Sequence, residues 1–161
     1  MIAEMLAGRT AAHILVGVGP GSFTGIRVGI AAAHGMAIGW DAELSGISSL
    51  GLLAAGAGGQ GDVAAAVIGG HGEVFVQEFD VTLEPRGDLL NRPADEAARA
   101  TGAKLVVGSA ASQLVEARGW GEARNTWPSA ANALILPKGL RGWPAKPVYA
   151  RAPDARPRVA A

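Results

Sequence analysis

The run Gly17-Val18-Gly19-Pro20-Gly21-Ser22-Phe23-Thr24-Gly25-Ile26-Arg27 is the part of this sequence whose residue types and spacing best suit chemistry. A glycine-rich turn between a strand and a helix brings backbone amides and the positive end of the helix dipole toward an anion. Gly19, Gly21, Ser22 and Thr24 are the candidate contacts for such an anion or nucleotide. Neither common nucleotide fingerprint fits. With glycines at 17 and 19 the dinucleotide pattern needs glycine at 22, where serine stands, and no lysine follows to complete a P-loop. Two readings stay open: a loop that faces a phosphate, or a tight turn that lets a helix pack closely on a sheet.

Other reactive types are sparse. The chain has no Cys, which excludes disulfides, thiolate metal sites and a thiol nucleophile. His13, His34 and His71 stand 21 and 37 positions apart, and positions 30 and 38 are both Ile, so no two histidines share a helix face as metal ligands. No metal site and no catalytic residue are expected; His34 reads as a partly buried hydrogen-bonding residue and His71 as a turn residue. Arg27 has a plain reading, pairing with Asp41 or Glu43, and a functional one, a place on a partner face or against an anion. Trp120, Trp127 and Trp143 lie among Arg118, Arg124 and Arg141, a mixture that can stack on nucleic acid or anchor a core.

Positioning these residues requires a strand before the loop and a helix after it. His13–Val18 is apolar without alternation, the mark of a strand covered on both faces. Residues 25–39 form an apolar helix in which only Arg27 and His34 are polar, so burial on more than one side is expected. Gly25, Gly29, Ala33 and Ala37 make a small-residue stripe at spacing four that permits close approach of another helix, from this chain or a partner. A short helix is expected over 1–8, a strand over 44–47, a helix capped by Ser48 or Ser49, and a linker over 56–61. The strands 63–68 and 73–79 follow, then a helix over 93–100, a strand over 104–107, a helix capped by Ser109 and a last helix over 128–136. From Gly139 the chain reads as extended.

The 161 residues are 49% hydrophobic and 17% charged, enough to bury a core and too apolar for a disordered tail. Net charge is zero but unevenly placed. From Arg118 onward eight Lys or Arg face only Glu122 and Asp154, a net of +6 that leaves −6 on residues 1–117. The longest apolar stretch, Val28 to Trp40, is interrupted by His34 and too short to cross a bilayer. Nothing at the start has the pattern of a secretory signal, and a cytoplasmic protein with no membrane partner is expected.

The string Gly-Pro-Gly-Ser-Phe-Thr-Gly-Ile-Arg-Val-Gly-Ile at 19–30, then Ala-His-Gly-Met-Ala and Gly46-Ile47-Ser48-Ser49-Leu50, closely resembles the TsaB family of bacterial tRNA threonylcarbamoyladenosine biosynthesis proteins. Gly72-Glu73-Val74-Phe75 and Lys146-Pro147-Val148-Tyr149-Ala150-Arg151 resemble later segments of that family. The resemblance implies an α/β fold of the actin-like ATPase, ribonuclease H-like type with two related lobes, here 1–60 with the first lobe truncated and 61–161 with the tail. It implies a non-catalytic scaffold subunit that pairs with a catalytic TsaD-like paralogue and a TsaE-like ATPase. That complex moves a threonylcarbamoyl group onto the adenosine next to the anticodon.

On this resemblance the partner face is the helix 25–39, with Gly25, Arg27, Gly29, Ala33, His34 and Ala37 as its candidate residues. Pairing with a second copy is the other use of that face. tRNA is engaged only indirectly, and ATP or ADP enters only at the interface with the catalytic partner. The sequence departs from the family at its start, where an Asp-Thr strand, a hairpin and most of a helix are absent, so a fragment or an internal start is expected. It departs also at Ile68-Gly69-Gly70-His71, where the usual Asp-Ala-Arg is replaced, and in the tail Arg156-Pro157-Arg158. The alternative from another class is a phosphotransferase or ATPase of the same fold that uses the loop 19–25.

Overall fold

A computed structural model of the chain describes residues 6–58 and 61–149. The expected helix over 1–8, the linker over 56–61 and the Arg-Pro-Arg tail lie partly or wholly outside the described residues. Strand β1 (His13–Gly17) runs into helix α1 (Phe23–Trp40), which returns the chain to strand β2 (Glu43–Ile47), parallel to β1 with His13 opposite Glu43. Ser22 caps α1 by accepting from the Gly25 amide, and Asp41 closes it in the left-handed conformation. The short helix α2 (Ser49–Ala55) follows at once, capped by the buried Ser48 hydroxyl.

A second sheet begins with β3 (Val63–Ile68), β4 (Glu73–Phe79) and β5 (Pro85–Pro93), which are joined as antiparallel neighbours. Helix α3 (Ala94–Ala100) leads to β6 (Leu105–Val107), and α4 (Ala111–Arg118) leads to β7 (Glu122–Arg124); both strands run parallel to β3 or to each other. The order across this sheet is β5-β4-β3-β6-β7. After two 3-10 turns, 130–135 and 138–140, the chain returns to the first sheet as β8 (Arg141–Trp143), antiparallel to β2, in the order β1-β2-β8.

The uninterrupted apolar run of β3 is explained by cover on both faces. Val63, Ala65 and Val67 join Leu50 and Leu53 of α2, Phe75, Phe79 and Leu136 on one side. Ala64 and Ala66 join Val74, Val76, Val106, Ala97 of α3 and Leu114 of α4 on the other. Each such large side chain contributes roughly 1.5–3 kcal/mol on burial, and the alanines of β3 let the helices sit close. Because every residue from Leu50 to Ala55 is buried, α2 is the wedge between the two sheets.

Four expectations need correction. The helix α1 is not buried on more than one side: it buries Ile30 and Ala33 against β1 and β2, and no described element covers its outer face. Likewise β1 is not covered on both faces: its ends are exposed and Ile14, Leu15 and Val16 only half-buried, and among the described residues it pairs with β2 alone. The Ser109 hydroxyl does not cap α4; it accepts from the Ile68 amide at 3.1 Å and ties the end of β3 to the loop. The last expected helix is only a 3-10 turn, Ala130–Ile135, capped by Ser129.

Candidate functional site

The glycine loop lies at the carboxyl end of β1, closed in by its own chain. The Val18 amide donates to the Ile47 carbonyl at 3.1 Å, and the Ser49 amide donates to the Gly19 carbonyl at 3.1 Å. On the other side the Val148 amide donates to the Val18 carbonyl at 2.8 Å, so the segment 144–149 crosses over the loop. Gly19 has φ +112°, and a Cβ there would come within 2.9 Å of Ile26 Cδ1 and 3.1 Å of the Val148 carbonyl oxygen. At Gly46 a Cβ would lie 2.7 Å from Val18 Cγ1 and 2.8 Å from the Pro144 carbonyl oxygen. Sequence segments that are more than a hundred positions apart are thus one packing unit. Within the loop it is Gly19 that admits the chain's own backbone, whereas a Cβ at Gly21 would meet only Ile26 Cδ1 at 3.9 Å.

Arg27 is held by rings, not by carboxylates. Its Nε donates to the Tyr149 hydroxyl at 2.8 Å, and its guanidinium carbon stands 3.7 Å from the centre of the Phe23 ring and 5.6 Å from that of Tyr149. The two rings are 5.3 Å apart and tilted by 33°. The expected pairing with Asp41 or Glu43 is not made, because both stand at or beyond the far end of α1 while Arg27 is in its second turn. Neither Phe23 nor Tyr149 is a candidate from sequence; the Pro-Val-Tyr motif is visible there, but nothing local says what its ring touches.

The outer face of α1 carries Val28, 64% exposed, and Ile38, 83% exposed, with Ala31, Ala32 and Gly35 also exposed. Gly25 and Thr24 are exposed at its start, and His34 is exposed where partial burial was expected. The small-residue stripe winds around the helix. Its first members, Gly25 and Gly29, lie outward or at the margin, whereas Ala33 is buried and Ala37 half-buried on the chain's own sheet. A Cβ at Gly29, Gly35 or Gly39 would meet nothing within 4 Å.

Trp120, Trp127 and Trp143 do not together form a core. Trp127 is 80% exposed. Trp120 is exposed beneath Arg118, whose guanidinium carbon is 3.8 Å from the ring centre. Arg118 also donates to the carbonyls of Thr101, Ala103, Lys104 and Trp120, and burial pulls its pKa below the usual arginine value while Glu78 opposes that. Only Trp143 packs partly against the core, its Nε1 donating to the Gly139 carbonyl at 2.7 Å. His13 Nε2 meets Ser45 Oγ at 2.9 Å, and His71 sits in the β3–β4 turn with φ +61°. Among the described residues no three His, Asp or Glu side chains gather as metal ligands, and no helix is long and apolar enough to cross a membrane.

Comparison with known proteins places these features. The family model of TsaD, tRNA N6-adenosine threonylcarbamoyltransferase, matches residues 5–137. The tRNA threonylcarbamoyladenosine biosynthesis protein TsaB of Escherichia coli (strain K12) is 44% identical over 66 residues, which make up 39% of this chain and 29% of that protein. The chain therefore matches less than a third of the length of that curated relative. Two solved structures superpose over most of the chain: YeaZ from Pseudomonas aeruginosa, and a protein from Pseudomonas aeruginosa described as similar to peptidase YeaZ. Both have a TM-score of 0.77 and 26% identity, covering 92% and 94% of this chain respectively and 81% of each neighbour. The mixed α/β architecture with two sheets is that of the actin-like, ribonuclease H-like fold.

Proposed function

Because the chain belongs to the TsaD family of tRNA N6-adenosine threonylcarbamoyltransferases, we propose that it serves tRNA threonylcarbamoyladenosine formation as a binding subunit without catalytic residues of its own. In this proposal it docks on a catalytic TsaD-type paralogue through the outer face of α1. The complex also engages a TsaE-type ATPase, meets tRNA only through the assembly, and admits ATP or ADP only at the subunit interface. Pairing with a second copy through the same face is the resting alternative, and the cytoplasm is the place of work.

The observation that carries this proposal is the composition of α1. A helix that covers one face of a small sheet normally turns charged residues outward. Here the exposed positions include Val28, Ala31, Ala32, Gly35 and Ile38, with the polar His34 among them and Arg27 the only fixed charge in the helix. A largely apolar exposed face of this kind marks an interaction surface. The crossing segment 144–149 speaks against the ATPase alternative, since it occupies the approach to the loop at Gly19.

Co-purification with the TsaD-type paralogue of the same genome tests the proposal. Val28→Glu places a charge on an exposed position and should leave the fold intact while abolishing pairing. The bulky Gly29→Leu should weaken pairing by on the order of tenfold or more, the range of a hot-spot loss. Pairing of both variants at the wild-type level, with unchanged thermal unfolding, would overturn it.

A further inference from the structure

The charge-poor face of α1 ends in one cation that is unusually well held. Of the five N–H groups of a guanidinium, the Nε–H of Arg27 is used on Tyr149. Among the described residues no acceptor takes the two terminal nitrogens. The flat group is fixed by Phe23 below and Tyr149 beside it, both residues 44% exposed. The helix contributes no carboxylate: its first turn has no acidic residue, and neither does the rest of Phe23–Trp40.

We propose that Phe23, Arg27 and Tyr149 form a preset carboxylate-binding platform within the docking face, and that the partner is a protein surface presenting an Asp or Glu among apolar side chains. This rests on the docking role proposed above and names the chemistry the partner must bring. Charge complementarity sets the sign: an apolar face whose one fixed charge is positive, next to the positive end of a helix dipole, is completed by an anion. Geometry sets the group, because the free fork of an oriented guanidinium matches a carboxylate bidentately. Holding the fork between two rings removes much of the ordering cost that a free arginine would meet on binding. Tyr149 acts as a positioning residue, aiming Arg27 through its hydroxyl, and it ties the carboxyl-terminal segment to the docking face.

The test is the affinity for the TsaD-type paralogue as a function of salt. For the wild type, Kd should rise with ionic strength, as expected of an ion pair that forms on association. Arg27→Gln should weaken pairing by on the order of tenfold to a hundredfold and flatten the salt dependence, the loss expected of an interfacial charged hot spot. Arg27→Lys, which keeps the charge and loses the fork, should recover the salt dependence but not the affinity. Tyr149→Phe keeps the ring and removes the acceptor, so it should cost a smaller factor with thermal unfolding unchanged, which a purely structural tyrosine would not show.

Arg27 variants that pair with wild-type affinity and salt dependence, while Val28→Glu abolishes pairing, would sink the platform and leave the docking role standing. Failure of the wild type to pair would overturn both. Saturable binding of inorganic phosphate or ATP by the unpaired chain, lost in Arg27→Gln, would assign the fork to a small anion instead and also overturn the proposal.

Discussion

At the scale of the residue, serines and glycines do most of the local shaping. Ser22 and Ser48 cap their helices as their place before an apolar run indicates. Asp80 organises the β4–β5 turn in the same way: its Oδ1 accepts from the Thr82 hydroxyl and from the Thr82 and Glu84 amides. The Thr82 hydroxyl is the main cause, the Glu84 amide the next, of a carboxyl pKa lowered from 3.8. The turn contribution is then fully present above the unfolded pKa and is lost as pH falls through the lower folded value. Amide exchange at Thr82 and Glu84, corrected for the intrinsic rate, should rise as Asp80 is protonated; in Asp80→Asn it should be faster throughout and show no such step. Arg27 marks the limit of what is legible at this scale, because its tyrosine partner is 122 positions away and no local pattern encodes that contact.

At the scale of the element, α1 combines a clear pattern with a hidden cost. Its strand-loop-helix frame was visible from apolar runs and a serine cap, whereas its one-sided burial was not, since an all-apolar helix reads the same whether a partner or the chain itself covers it. Gly25, Gly29, Gly35 and Gly39 all lie within its 18 residues, and a glycine inside a helix costs about 0.5–1 kcal/mol relative to alanine. Gly35→Ala meets no neighbour in the chain, so it should stabilise the isolated protein by about 0.5–1 kcal/mol, read as a higher denaturant midpoint. Tighter folding together with weaker pairing would mark this glycine as kept for close approach from outside. Strand β5 has no legible sequence signal, for the opposite reason. Pro85-Arg-Gly-Asp at its start reads as a turn, and only the ladder to β4, with its register shift between Val76 and Glu78, makes it extended.

At the scale of the whole molecule, the two sheets differ in how well they are covered. The strand β3 has neighbours on both edges and packed layers on both faces, while among the described residues β1 has a pairing partner on one edge only. Hydrogen exchange on the unpaired chain should accordingly show the strongest protection at Ala64, Ala65 and Ala66 and clearly weaker protection across His13–Gly17; equal protection would contradict this. The fold class was legible because apolar runs and a glycine-rich turn specify buried strands and a crossover helix. The return of β8 was not, since Arg141-Gly142-Trp143 has no strand signature and gains one only beside β2. That return has a consequence for the order of assembly. The edge of β2 waits for Arg141, which pairs with Ile47, so the chain must be synthesised through Trp143 before the first sheet gains its third strand. Long-range pairing of this kind brings its loop-closure cost early and its reward late. During synthesis, therefore, the β3–β7 sheet is the part able to form first, and the segment that carries α1 is the last to be locked, by the strand β8 and the strap that ends in Tyr149.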